Sequence, residues 1–326
     1  MKPITGFLLA SLMTASLLTG CSTESKPVLS EGQADKLKIV CADFPQYDWM
    51  REILGSHADA AELVLLQKNG TDPHNFQPSA TDIAQISDCD LFLFIGGESD
   101  SWARDAVADA INPEMKYLSL LDTLGSTVKT EEHKDGMEAE EAESDEAPEY
   151  DEHAWLSLPR AHAFCLAAAS QLGLLDPANA EDYQANAEAY NQKLDALDNS
   201  FAELAGSAKQ KTLLFGDRFP FRYFVDDYGF DYYAAFPGCS AETEAGFETV
   251  VFLAEKVDEL GLDTVYTIDQ SDGRIAQTII DNTKEKNQQI AVLNSMQSVT
   301  EAQILNGTTY LSLMQENYDV LKAHLK

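Results

Sequence analysis

The sequence predicts an α/β protein of two lobes, each a parallel-sheet α/β sandwich, joined by one long helix. Three observations predict it. Short, nearly continuous apolar runs alternate with helical patterns, as expected of parallel strands buried on both faces. From about residue 178 to 205 a single amphipathic pattern without proline or glycine interrupts that alternation. The alternation then restarts and continues toward the end of the chain.

Leu37-Lys-Ile-Val-Cys41 reads as a first buried strand and residues 45–54 as the helix after it. Residues 61–66 read as a second strand, and Ser79-Ala-Thr-Asp82 as a capped helix start leading into Ile83 and Ile86. Cys89 to Ile95 is an apolar run that stops at Gly96-Gly97, a third strand. A helix follows around 161–172. In the long pattern after it, Tyr183, Tyr190, Leu194, Leu197, Phe201 and Leu204 recur at three-, four- and seven-residue intervals, which favours one helix over 178–205. The second lobe reads as strand 212–215, helix 221–228 closed by Gly229, helix 244–260 closed by Gly261, strand 264–268, helix 274–282, strand 289–293 and helix 308–325.

The chain opens with a cationic head and a short apolar stretch ending Leu18-Thr-Gly-Cys21, too short for a stable membrane span. That ending resembles a bacterial lipobox, so residues 1–20 are expected to be a signal peptide and Cys21 the lipidated residue. Residues 21–36 are polar and read as a flexible tether. The N-terminal lobe is expected over 37–177, the linking helix over 178–206 and the C-terminal lobe over 207–326.

With 55 acidic against 22 basic residues the formal net charge is −33, which makes nucleic acid and anionic lipid poor partners and a diffusing cation a good one. Between about 131 and 152 one lysine stands against twelve acids, and this stretch is expected to be a mobile loop. Setting Cys21 aside leaves Cys41, Cys89, Cys165 and Cys239, with no short Cys-x-x-Cys spacing, and no disulfide is assigned. Only six histidines occur. Two of them, His74 in Asp72-Pro-His-Asn-Phe-Gln-Pro-Ser79 and His153 in Asp151-Glu-His-Ala-Trp-Leu-Ser157, lie in short Pro- or Trp-flanked motifs. Neutral imidazole suits a borderline cation at neutral pH, so both are candidate metal ligands.

Four motifs together resemble the zinc- and manganese-specific solute-binding lipoproteins of ABC transporters. They are Asp-Pro-His-x-Phe-x-Pro-Ser at 72–79, His-x-Trp-Leu-Ser at 153–157, Phe-x-Tyr-Phe-x-x-x-Tyr-Gly at 221–229, and Thr-Tyr-Leu-Ser-Leu-Met-x-x-Asn at 309–317. The resemblance implies a rigid linking helix, a metal in the interlobe cleft, and His74 and His153 as the first two ligands. At the third family position this chain has Arg218, a permanent cation that cannot ligate. Asp217, one residue earlier, is the candidate instead. For the fourth, Asp269 at the end of strand 264–268 is preferred to Asp272, with Glu242 and Cys239 as further possibilities. A thiolate at Cys239 would shift preference strongly to zinc or copper(I).

The function implied is extracytoplasmic capture of Zn²⁺, with Mn²⁺ as the alternative, for delivery to an ABC permease. The protein is expected to be monomeric, held to the cell membrane by its lipid. A metal-dependent adhesin is a further alternative. A zinc hydrolase would declare itself by His-Glu-x-x-His or a comparable motif, and none occurs, so no catalysis is expected.

Overall fold

The computed structural model describes residues 36–138, 149–240 and 244–325. Cys21, the signal peptide, nearly all of the tether and Glu242 lie outside the described residues. The first sheet is built from β1 (Leu37–Cys41), β2 (Ala61–Leu65), β3 (Leu91–Phe94) and β4 (Lys116–Ser119), in the order β2-β1-β3-β4, all parallel. Helices α1 (Phe44–Leu54), α2 (Ala80–Ser87), α3 (Ser101–Ala108) and α4 (Leu120–Leu124) connect or follow these strands. Two long helices come next, α5 (Leu158–Leu175) and α6 (Ala180–Ser207).

The second sheet repeats the topology with β5 (Thr212–Arg218), β6 (Asp231–Phe236), β7 (Thr264–Ile268) and β8 (Gln289–Leu293), in the order β6-β5-β7-β8, again all parallel. Its helices are α7 (Arg222–Tyr228), α8 (Phe247–Leu260), α9 (Arg274–Asn282), α10 (Glu301–Leu305) and α11 (Tyr310–His324). In each sheet the strand order reverses at its first strand, so each has a crevice at its strands' carboxyl ends.

The helix expected over 178–205 is α6. With 28 residues it is about 42 Å long at 1.5 Å per residue. Its buried positions Tyr183, Ala187, Tyr190, Leu194, Leu197 and Phe201 step by four and three, one apolar seam along its length. That seam joins a single core cluster that also contains Ile39, Trp49 and Phe164 of the first lobe and Phe215, Tyr266 and Leu313 of the second. Smaller clusters cover the outer faces of the two sheets.

The junction between lobes is polar where it must be. Tyr310 N donates to Asp48 Oδ2 at 2.8 Å, Tyr310 Oη donates to the carbonyl of Trp155 at 2.6 Å, and Trp155 Nε1 donates to the carbonyl of Ser295 at 2.9 Å. Trp49 packs between Phe164 and Tyr310, with ring centroids 5.3 and 5.1 Å away.

Two edge strands, β4 and β6, and helices α3, α4 and α10 have no counterpart in the sequence reading. The acidic stretch also departs from it. Residues 131–138 are not a detached loop but a strap on the second lobe. Glu132 accepts from Tyr232 Oη at 2.9 Å, Lys134 pairs with Asp231, and Glu138 N donates to the carbonyl of Ala235 at 2.9 Å. Composition misled here because Glu132, Lys134 and the Glu138 amide all find fixed partners on the edge strand β6.

The shared core has a measurable consequence. Trp49→Ala should cost about 3–5 kcal/mol, as for other large buried aromatics. Both lobes should still unfold in one transition in denaturant, followed by near- and far-UV circular dichroism. Two separated transitions would contradict a common core.

Candidate metal centre

Of the residues around the centre, His74 and Cys239 come from loops at the carboxyl ends of the two sheets and His153 from the turn before α5. His74 lies on the loop after β2, and Cys239 lies on the topologically equivalent loop after β6. Asp72 caps the 3₁₀ turn Pro73–Asn75 by accepting from His74 N at 3.0 Å, so Asp-Pro-His is a self-braced turn. His153 caps the turn Ala154–Leu156, where Trp155 is pinned between the lobes.

The two rings approach with Nε2 atoms 3.2 Å apart. Two nitrogens on a tetrahedral zinc, each about 2.0–2.1 Å from the metal, would be about 3.3 Å apart. The Cys239 sulfur completes a group whose three donor atoms all lie within 4.8 Å of one another. Gly238 makes room for this approach: a Cβ there would stand 3.0 Å from the His153 ring and 2.8 Å from the carbonyl of Phe219. Gln297, on the loop after β8, is also buried against the group, with Nε2 3.2 Å from His153 Nε2 and Oε1 lacking any hydrogen-bond partner.

Each imidazole is oriented from behind. Asp151 Oδ1 lies 3.1 Å from His153 Nδ1 and accepts from His153 N at 2.9 Å. This fixes the proton on Nδ1 and leaves the Nε2 lone pair toward the group. Ser99 Oγ sits 2.5 Å from His74 Nδ1, while Ser99 N donates to Glu152 Oε1 at 2.7 Å.

Burial, reinforced by His153, pushes the pKa of His74 down from 6.5 to about 3. His153 is fully buried, which opposes its charge, yet Asp151, Glu152 and Glu131 together outweigh burial and raise its pKa. Burial and then Glu131 push the Cys239 thiol well up, so its proton leaves only when a cation replaces it. Glu131 also accepts from Cys239 N at 2.7 Å, so the acidic strap reaches the centre.

Of the sequence candidates, the structure brings together His74, His153 and Cys239, the last held in the sequence only as a further possibility. Asp217 and Asp269 are not in that group. Asp217 accepts from Arg218 N at 2.8 Å, and Asp269 Oδ1 accepts from Ser295 N and Oγ, both at 2.6 Å. Both line an adjoining cleft of about 570 Å³. Arg218 spans the lobes to pair with Asp72 at 2.5 Å. Asp272 lies exposed beside Arg274 on the same cleft. Gln297 had no motif to reveal it, although the end of a last parallel strand is where such folds place ligands.

These two parallel-sheet lobes with facing strand ends define a bilobal α/β binding protein. Residues 39–324 match the family described as ZnuA, zinc-uptake complex component A periplasmic, and the chain belongs to that family. It is 32% identical over 324 residues to a zinc-binding lipoprotein AdcA of Streptococcus pneumoniae, covering 99% of this chain and 61% of that one. A high-affinity zinc uptake system protein ZnuA of Bacillus subtilis is 26% identical over 309 residues, covering 95% and 94%. Against the first curated AdcA relatives the chain spans 58% of their length. The Zn(II)-bound ZnuA-like domain of S. pneumoniae AdcA superposes with a TM-score of 0.70 at 27% identity, covering 89% of this chain and 99% of that domain.

The His74 shift predicts an acid liability of the metal-free protein. A histidine whose pKa is lowered on folding leaves stability unchanged above 6.5 and reduces it progressively as pH falls toward about 3, because the unfolded chain takes up the proton first. His74→Asn should therefore lose less stability than wild type between pH 6.5 and 4 in urea titrations. Parallel losses would contradict the assignment.

Proposed function

We propose that this chain is the extracytoplasmic zinc-binding component of an ABC uptake system, holding one Zn²⁺ between its lobes on His74, His153 and Cys239. The observation that carries this reading is the 3.2 Å separation of the two imidazole Nε2 atoms with the Cys239 sulfur beside them. Two neutral imidazoles and one thiolate leave a zinc complex of charge +1, and the thiolate disfavours manganese. Asp217 and Asp269 serve as an acidic approach along the cleft rather than as ligands. The zinc-binding names of the relatives and the family description support the same cargo.

Delivery to an ABC permease, anchoring through a lipid on Cys21 and action as a monomer complete the proposal. Release rather than chemistry is the outcome expected of the bound ion. Its surrounding donors hold it, and Asp151 and Ser99 orient those donors.

Isothermal titration of zinc into the metal-free protein tests the ligand set. His74→Ala, His153→Ala and Cys239→Ala should each abolish tight one-to-one binding, and Asp151→Asn should weaken it about 10–100-fold. Asp217→Ala and Asp269→Ala should stay within a few-fold of wild type. Unchanged affinity in Cys239→Ala would remove the thiol from the site, and loss of binding in Asp217→Ala would restore the carboxylate as a ligand.

A further inference from the structure

The Nε2 lone pair of His153 has two claimants. Asp151 holds the ring's proton on Nδ1, so Nε2 can only accept, and Gln297 Nε2 donates to it at 3.2 Å. A zinc ion on His153 needs the same lone pair, and an N–H cannot stay aimed at it. Gln297 is buried and its backbone is fixed. Met296 beside it holds a left-handed φ of 62° and donates its N–H to Asn294 Oδ1 at 2.8 Å, while Asn294 and Asn317 bond each other in both directions. The end of the side chain can still turn in place. A half-turn exchanges the amide nitrogen and oxygen, bringing Oε1, which has no partner, to the position beside His153.

The displaced N–H then needs an acceptor, and one is at hand. Gln297 lines a small cavity of about 10 Å³, room for one water-sized group, together with Asp43, Gln67, Pro73 and Trp155. Asp43 follows β1 and stands at the N-cap position of α1 without capping it. It is buried, and neither carboxyl oxygen has a hydrogen-bond partner. Burial, then Asp100 and Glu152, push its pKa well up, and Gln67 opposes that shift without completing a hydrogen bond. An amide N–H turned into this cavity meets an oxygen that lacks a donor, directly or across one water.

We infer that Gln297 is a swivelling fourth ligand, turning to hold zinc through Oε1 while giving its N–H to Asp43, an inference that rests on the ligand set proposed above. The amide completes four donors and leaves the +1 charge of the loaded site unchanged. Gln297 lies on the second lobe, after β8, and Asp43 on the first, after β1. Loading therefore adds a hydrogen bond across the lobes at the moment the ion is held.

The test uses the metal-free mature protein and zinc calorimetry. Gln297→Leu, which removes both ends of the amide, should keep one-to-one binding and weaken it about 10–100-fold. Asp43→Asn should also weaken zinc several-fold, because its own N–H gives Oε1 a partner and holds the amide in the orientation that faces His153 with nitrogen. The same variant should make the metal-free protein more resistant to urea, since a buried carboxyl without a donor is gone. An aspartate with a merely structural role would lower stability and affinity together. In the Gln297→Leu background Asp43→Asn should leave zinc affinity unchanged. Wild-type affinity in Gln297→Leu, or an Asp43→Asn loss of equal size in both backgrounds, would overturn the inference. Carbon-13 NMR of the glutamine-labelled wild type gives a readout free of any folding defect: the Gln297 side-chain carbonyl should shift with one equivalent of zinc. One-to-one zinc binding with that carbonyl unmoved leaves the zinc proposal standing and refutes the swivel, whereas no zinc binding by the wild type defeats the ligand set itself.

Discussion

Trp155 is the residue on which the centre's geometry depends. Its indole N–H reaches the second lobe at Ser295, and its carbonyl receives the Tyr310 hydroxyl. His153 lies two residues away on the same turn, with its ring 5.1 Å from that of Trp155. The turn is thus clamped where the lobes meet, and the Nε2 of His153 is carried to a place that His74 approaches from one sheet and Cys239 from the other. The shared core around Trp49 and α6 keeps those two approaches in register. A site assembled from both lobes over an apolar junction of this kind would feel any lobe displacement directly as a change in donor spacing.

Electrostatics complete what packing begins. Burial keeps His74 free of a proton, the Cys239 thiol holds its own until a cation replaces it, and Asp151, Glu152 and Glu131 surround His153 and Cys239 with negative potential. The one nearby guanidinium, Arg218, is paired with Asp72 and does not face the donors unopposed. Its position explains how a cation can occupy the place where the family resemblance implies a ligand: the charge is neutralised across the lobes, while the Cys239 sulfur lies beside the two imidazoles from the neighbouring loop.

Much of the fold was legible because buried parallel strands are written as apolar runs. Leu37–Cys41, Thr264–Ile268 and Gln289–Leu293 coincide with strands at the same residues. The seam of α6 was equally plain. The strands that escaped are edges: β4 is four residues with a largely exposed face, and β6 begins at an acid and carries Tyr232 and Tyr233 in place of an aliphatic run. At the site, His74 and His153 announce themselves through rigid flanking residues. Cys239 and Gln297 do not, because their proximity comes from equivalent strand ends meeting across two lobes, a relation that no local pattern records. The acidic stretch was misread at 131–138 and again at 149–152, where Glu149 and Asp151 pair with the backbone of Glu131 and Lys129 and where Asp151 and Glu152 are buried.

The claim that a thiolate from the second lobe holds the ion alongside two histidines from the first is open to one direct measurement. X-ray absorption at the zinc edge, on the protein loaded with one equivalent of zinc, reads the donor atoms without a crystal. The account predicts a single sulfur at about 2.3 Å together with nitrogen or oxygen donors at about 2.0–2.1 Å. A first shell of nitrogen and oxygen alone would contradict it.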